Sequence, residues 1–83
     1  LFHYRSHDGY EVDIVAELPD GRLVAIEVKA AKTVTPKAWA GLERFRLDHP
    51  DRAVTGVVLH GGTNVAHLHG WLHLLPITSL WMH

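Results

Sequence analysis

Through the first third of the chain, apolar and polar residues alternate; beyond residue 35 the apolar ones recur at helical spacing. Phe2 to Arg5 reads as a short extended run, closed by the turn formers Ser6-His7-Asp8-Gly9. Tyr10 to Glu17 follows as a second strand, because Tyr, Val and Ile favour the pleated backbone while acids punctuate it at alternate positions. In Leu18-Pro19-Asp20-Gly21-Arg22, Pro presets the first turn position and Gly can take the left-handed conformation, which predicts a three-residue hairpin loop. Leu23 to Lys29 is a third strand, with Val24, Ile26 and Val28 on one face and Leu23, Ala25, Glu27 and Lys29 on the other. Thr35, as a cap for free N–H groups, and Pro36 start a helix whose apolar side is Ala38, Trp39, Leu42 and Phe45. It runs to about His49, ahead of Pro50. Ala53 to His60 is an apolar, β-branched run of the kind found in strands covered on both faces. Gly61 to Asn64 is a loop, His69 to Leu75 a last strand, and Ile77 to Trp81 a terminal turn or short helix with Thr78 or Ser79 near its start.

Three tightly connected strands, a helix and a further strand make a mixed α/β sheet: a three-strand meander, then a crossover helix that makes the fourth strand parallel to the third. No repeat, low-complexity stretch or linker divides residues 1–83, so one domain is expected. With Pro19, Asp20 and Gly21 in the loop, Leu18 faces Arg22, Asp13 faces Glu27 and Glu11 faces Lys29. A two-residue loop would put Asp13 on the opposite face from Glu27, so the pairing depends on that turn.

Composition narrows the chemistry. The 83 residues include eight His and no Cys, which excludes a disulfide scaffold and a thiolate zinc site. The lack of Cys is compatible with a reduced cytoplasm, the compartment expected. No apolar run approaches the roughly 20 residues of a membrane span, and no secretory signal opens the chain, so no membrane partner is expected. A first residue other than Met suggests a fragment of a larger protein. The formal charge of −1 argues against a strongly basic nucleic-acid binder, yet six of the nine acids fall in the first 35 residues. Two carboxylates directly across a ladder repel each other. They become favourable with a hard cation between them, since Mg²⁺ binds a few carboxylate oxygens and keeps several waters. Lys29, beside Glu27 on that face, would place positive charge near a metal-bound water or a scissile phosphate.

Asp13, followed by Glu27-Val28-Lys29 on the next strand, resembles the D…(D/E)-x-K signature of the restriction-endonuclease-like PD-(D/E)XK nuclease superfamily. Gly9-Tyr10-Glu11-Val12-Asp13, Val24 to Ala30, the helix after Thr33 and Thr55-Gly56-Val57-Val58-Leu59 are similar to an uncharacterised C-terminal domain of bacterial and archaeal AAA-type ATPases. Val12 stands where the signature often has Pro. The resemblance covers nearly the whole chain and implies a restriction-endonuclease-like core lacking its first helix, joined to an ATPase. It implies Asp13 and Glu27 as metal ligands for Mg²⁺ or Mn²⁺, the Val28 carbonyl as a third, Lys29 as the residue that orients or activates water, and Glu11 as an auxiliary group. The expected activity is divalent-metal-dependent phosphodiester hydrolysis of DNA or another nucleic acid. The alternative is a catalytically inactive module that binds nucleic acid or protein and regulates such an ATPase.

The remaining signals are weaker. His67, His69 and His73 suggest zinc, but on one strand they would spread over about 20 Å, too far to share an ion without a bend at Gly70; a polar edge strand is the favoured account. His3, His7, His49 and His60 lack a ligand spacing. No helix bearing a P-loop Lys follows Gly61-Gly62, so a plain connection is expected. Trp39, Trp71 and Trp81 are read as core or interface anchors, with dimerisation through the edge strand and Trp71 a lesser option.

Overall fold

The computed structural model describes residues 1–80. Strands β1 (Phe2–Arg5), β2 (Glu11–Glu17) and β3 (Leu23–Val28) precede a 3₁₀ turn (Pro36–Trp39) and helix α1 (Ala40–Asp48); β4 (Val54–His60), β5 (Ala66–Leu68), β6 (Leu72–Pro76) and a 3₁₀ turn (Ile77–Leu80) follow. The strands form one mixed sheet in the order β1-β2-β3-β4-β6-β5. The meander β1-β2-β3 is antiparallel, and β4 is parallel to both β3 and β6. This is the α/β architecture expected from the pattern, with six strands where five were expected.

The first hairpin forms as its turn chemistry dictates. Leu18 N–H donates to the Arg22 carbonyl at 2.8 Å and Gly21, at φ 90°, returns an N–H to the Leu18 carbonyl at 2.9 Å. Asp20 Oδ1 accepts the Arg22 N–H at 3.1 Å. The resulting register, Glu17 with Leu23 through Ile14 with Ile26, is the one that sets Asp13 level with Glu27.

One irregularity was not foreseen. Val12 and Val15 are both fully buried, yet residues three apart cannot share a face of an unbroken strand. The pairing with β1 slips between Phe2–Val15 and Tyr4–Val12, so β2 carries an extra residue at Asp13-Ile14. Such a bulge bends the strand and re-aims its side chains.

Helix α1 lies on one face of the sheet through Leu42 and Phe45, closing a core with Val12, Val15, Leu23, Ala25, Val54, Val58, Leu72 and Leu74. Tyr4 meets Phe45 edge to face at 4.8 Å. The helix sits close because residue 41 is Gly: a Cβ there would lie 2.1 Å from the Glu11 carbonyl oxygen. The start differs from expectation. Its first turn is 3₁₀, and the Thr35 side chain makes no capping bond; the Thr35 carbonyl instead accepts the Ala38 N–H at 2.9 Å.

The carboxy-terminal part also differs. The expected strand His69–Leu75 is replaced by a hairpin, in which β5 runs to Leu68, His69 (φ 57°) and Gly70 (φ 74°) reverse the chain, and β6 begins at Leu72. Two successive left-handed residues suit the twist of a tight hairpin, and the Gly permits the second at no steric cost. β6 thereby inserts between β4 and the edge strand β5. The expected loop at Gly61-Gly62 is a plain connection, packed on the backbone of Ala30 to Lys32. Trp39 and Trp71 pack against the core as anchors; Trp81 lies outside the described residues.

Candidate functional site

The site grows from the end of the first hairpin. Beyond the Ile14–Ile26 pair, side chains replace the ladder: Val28 N–H donates to Asp13 Oδ2 at 2.9 Å, and Asp13 N–H donates to Glu27 Oε1 at 3.3 Å. Each carboxylate thus caps a backbone N–H beyond the last β2–β3 pair, Ile14 with Ile26. Lys29 Nζ lies 3.2 Å from Glu27 Oε2, so Asp13, Glu27 and Lys29 come together in the order their register demands.

Glu27 is the most sheltered of the three, its side chain 14% exposed against 40% for Lys29. Burial raises its carboxyl above the ordinary value of 4.5, the hydrogen bond with the Asp13 side chain raises it further, and Lys29 opposes both. A half-buried acid beside a second acid disfavours full ionisation in the absence of an added cation.

The N–H and C=O of one strand residue point to the same side. Since Val28 N–H faces Asp13, its carbonyl faces the same side, while Lys29 N–H turns away to the Leu59 carbonyl at 2.8 Å. Two carboxylates and that carbonyl are hard oxygen donors of the type Mg²⁺ and Mn²⁺ take. A carboxylate that accepts one N–H retains acceptor capacity, so the donor set fits such an ion with water completing the shell. Among the described residues no group of three or more His, Cys, Asp or Glu side chains converges on one metal position.

Glu11 stands apart. It is paired with Arg5 on β1 and forms its ion pair there, at 3.6 Å, rather than with Lys29. Arg22 bonds Asp20 at 2.7 Å and likewise takes no part in the acidic site. What the sequence reading missed is the segment that follows Lys29. A surface depression is lined by Lys29, Ala31, Thr33, Val34, Thr35 and Lys37, which brings a second ammonium and two hydroxyls into one concavity with Lys29. The run Thr33-Val34-Thr35-Pro36-Lys37 was legible as a helix start, which concealed its polar lining.

The model of a family described as Domain of unknown function (DUF4143) matches residues 1–80. The chain belongs to this family. No curated protein and no solved structure matches the chain. Among the described residues no helix is long and apolar enough to cross a membrane.

Proposed function

We propose that this domain is a nuclease-like module for divalent-metal-dependent phosphodiester hydrolysis of nucleic acid, of the PD-(D/E)XK type. The observation that carries the reading is the meeting of Asp13 and Glu27 across the hairpin, with the Glu27 carboxyl raised by burial and by its neighbour. Stability alone does not favour two acids there, whereas a hard cation between them converts repulsion into ligation. Asp13, Glu27 and the Val28 carbonyl would hold Mg²⁺ or Mn²⁺, which when bound lowers the pKa of water and screens a phosphate. Lys29, already within ion-pair reach of Glu27, would orient water and carry positive charge to the phosphate oxygens, where negative charge develops. Lys37, with Thr33 and Thr35, would receive the neighbouring phosphate in the depression beside Lys29. The family resemblance supports attachment to an AAA-type ATPase.

A second reading rests on the same contacts. Asp13 and Glu27 each satisfy a backbone N–H at the bulge, a structural duty that an inactive binding or regulatory module also needs. One experiment separates the two. The protein is incubated with single-stranded, duplex and branched DNA and Mn²⁺, beside Glu27→Gln and Lys29→Ala. Cleavage by wild type that chelator abolishes and both variants lack supports the nuclease. Equal background in all three, with DNA binding unchanged by chelator, supports the module.

A further inference from the structure

The hairpin at the carboxy-terminal edge of the sheet places two histidines face to face. In the β5–β6 register His67 is directly opposite His73, their rings meet edge to face at 4.8 Å, and the two Nδ1 atoms are 2.5 Å apart. Among the described residues the other engaged histidines are spent on backbone. His49 Nδ1 bonds the Phe45 carbonyl; buried His60 accepts the Gly62 N–H at Nδ1 and bonds the Asn64 carbonyl through Nε2. The edge pair alone turns ring nitrogens on each other.

We propose that His67 and His73 form a two-histidine site for a transition-metal ion of the zinc class, which clips the edge strand β5 to β6. Imidazole nitrogen suits Zn²⁺, Ni²⁺ and Cu²⁺ and is a poor donor for the hard ions expected at the carboxylates. At Zn–N distances of about 2.0–2.1 Å, tetrahedral ligation sets the two nitrogens roughly 3.3 Å apart. The rings must therefore separate by less than about 1 Å, a small side-chain rotation for exposed His67 on the outermost strand. When both rings are neutral, the 2.5 Å contact requires one Nδ1–H to donate to the other Nδ1. Ligation moves that hydrogen to Nε2 of the same ring, so both Nδ1 lone pairs reach the metal and no net proton is released. Water fills the remaining positions, as in open zinc sites.

The test uses Zn²⁺ as the probe on the whole protein, with excess Mg²⁺ to occupy the carboxylates. Ring-nitrogen NMR of wild type is expected to shift at His67 and His73 and to leave His3 and His7 in place. Calorimetry is expected to show a loss of about tenfold or more in affinity, roughly 1.4 kcal/mol or more, for His67→Ala and for His73→Ala. The double variant should be scarcely weaker than either, because a single imidazole cannot chelate. Shifts spread evenly over His3, His7, His67 and His73, or variants that bind as wild type does, would overturn the proposal. The NMR arm decides the matter if a variant fails to fold. The test is also independent of the nuclease reading, since Zn²⁺ binding at the edge survives Asp13→Asn.

Discussion

Replacing Asp13 by Asn is expected to stabilise the metal-free protein. The amide keeps an oxygen for the Val28 N–H, now at 2.9 Å, and offers Glu27 an N–H where the native residue presents a second negative charge. Two unit charges about 4 Å apart repel by roughly 1 kcal/mol in water and about 4 kcal/mol at the effective dielectric of a protein surface. The site is partly sheltered, and Lys29 at 3.2 Å offsets part of the repulsion, so about 2 kcal/mol is recovered. Weakening of a charge-assisted bond to a neutral one returns about 1 kcal/mol. The net gain of about 1 kcal/mol corresponds to a rise in melting temperature of roughly 4–8 °C for a domain of this size. Urea melts at pH 7 in chelator measure it directly. The effect carries a pH signature. Because the folded Glu27 carboxyl sits above its ordinary 4.5, the folded state binds more protons between those two values, and wild-type stability rises as pH falls through that window. A neutral Glu27 no longer repels Asp13, so the advantage of Asn should fade over the same window. Saturating Mn²⁺ reverses the order: at a hundredfold excess over its dissociation constant it adds about 2.7 kcal/mol to a protein that binds it, and Asp13→Asn forgoes that gain. A variant less stable than wild type at pH 7 in chelator, or an advantage indifferent to pH, would refute the repulsion argument.

Gly41→Ala should lower stability by about 1–3 kcal/mol or more, because its Cβ falls 2.1 Å from the Glu11 carbonyl oxygen; thermal melts read the loss. Phe45→Ala removes a fully buried ring and is expected to cost about 3–5 kcal/mol, leaving little folded protein by circular dichroism. His60→Leu strips the Gly62 N–H and the Asn64 carbonyl of their partner, at about 0.5–1.5 kcal/mol for each hydrogen bond lost, measured by urea melts. Below pH 4 stability should fall. The Ser6 hydroxyl and Arg44 hold the Asp8 carboxyl below its ordinary 3.8, and the Tyr4 hydroxyl and Arg44 do the same for Asp48. Their contribution is present above 3.8 and is lost as pH drops through the depressed values, which an acid titration followed by fluorescence checks.

The hairpin carrying the acids was legible because one loop determined it: Pro19, Asp20 and Gly21 leave a single register, and that register sets Asp13 against Glu27. The bulge was not legible, since Val12-Asp13-Ile14-Val15 reads equally well as plain alternation, and only the partner strand reveals the extra residue. Glu11 followed the bulge to Arg5. Likewise His69 to Leu75 offered apolar residues at spacings suited to one strand, and the positive φ of His69 is a property of the folded turn that a His does not advertise. Turn chemistry with Pro and Gly was readable; reversal at an ordinary residue was not.

Asp13, Glu27, Val28 and Lys29 all lie on one hairpin, and the hydrogen bonds and ion pair that join their side chains are made within it. Hairpins form in about 1–10 μs, long before distant segments must meet. The acid pair is thus inherited as a local cassette of fewer than about 20 residues, while α1 and the later strands serve as its housing. A one-residue deletion in Pro19-Asp20-Gly21 would erase the cassette, whereas housings of quite different sequence could carry it.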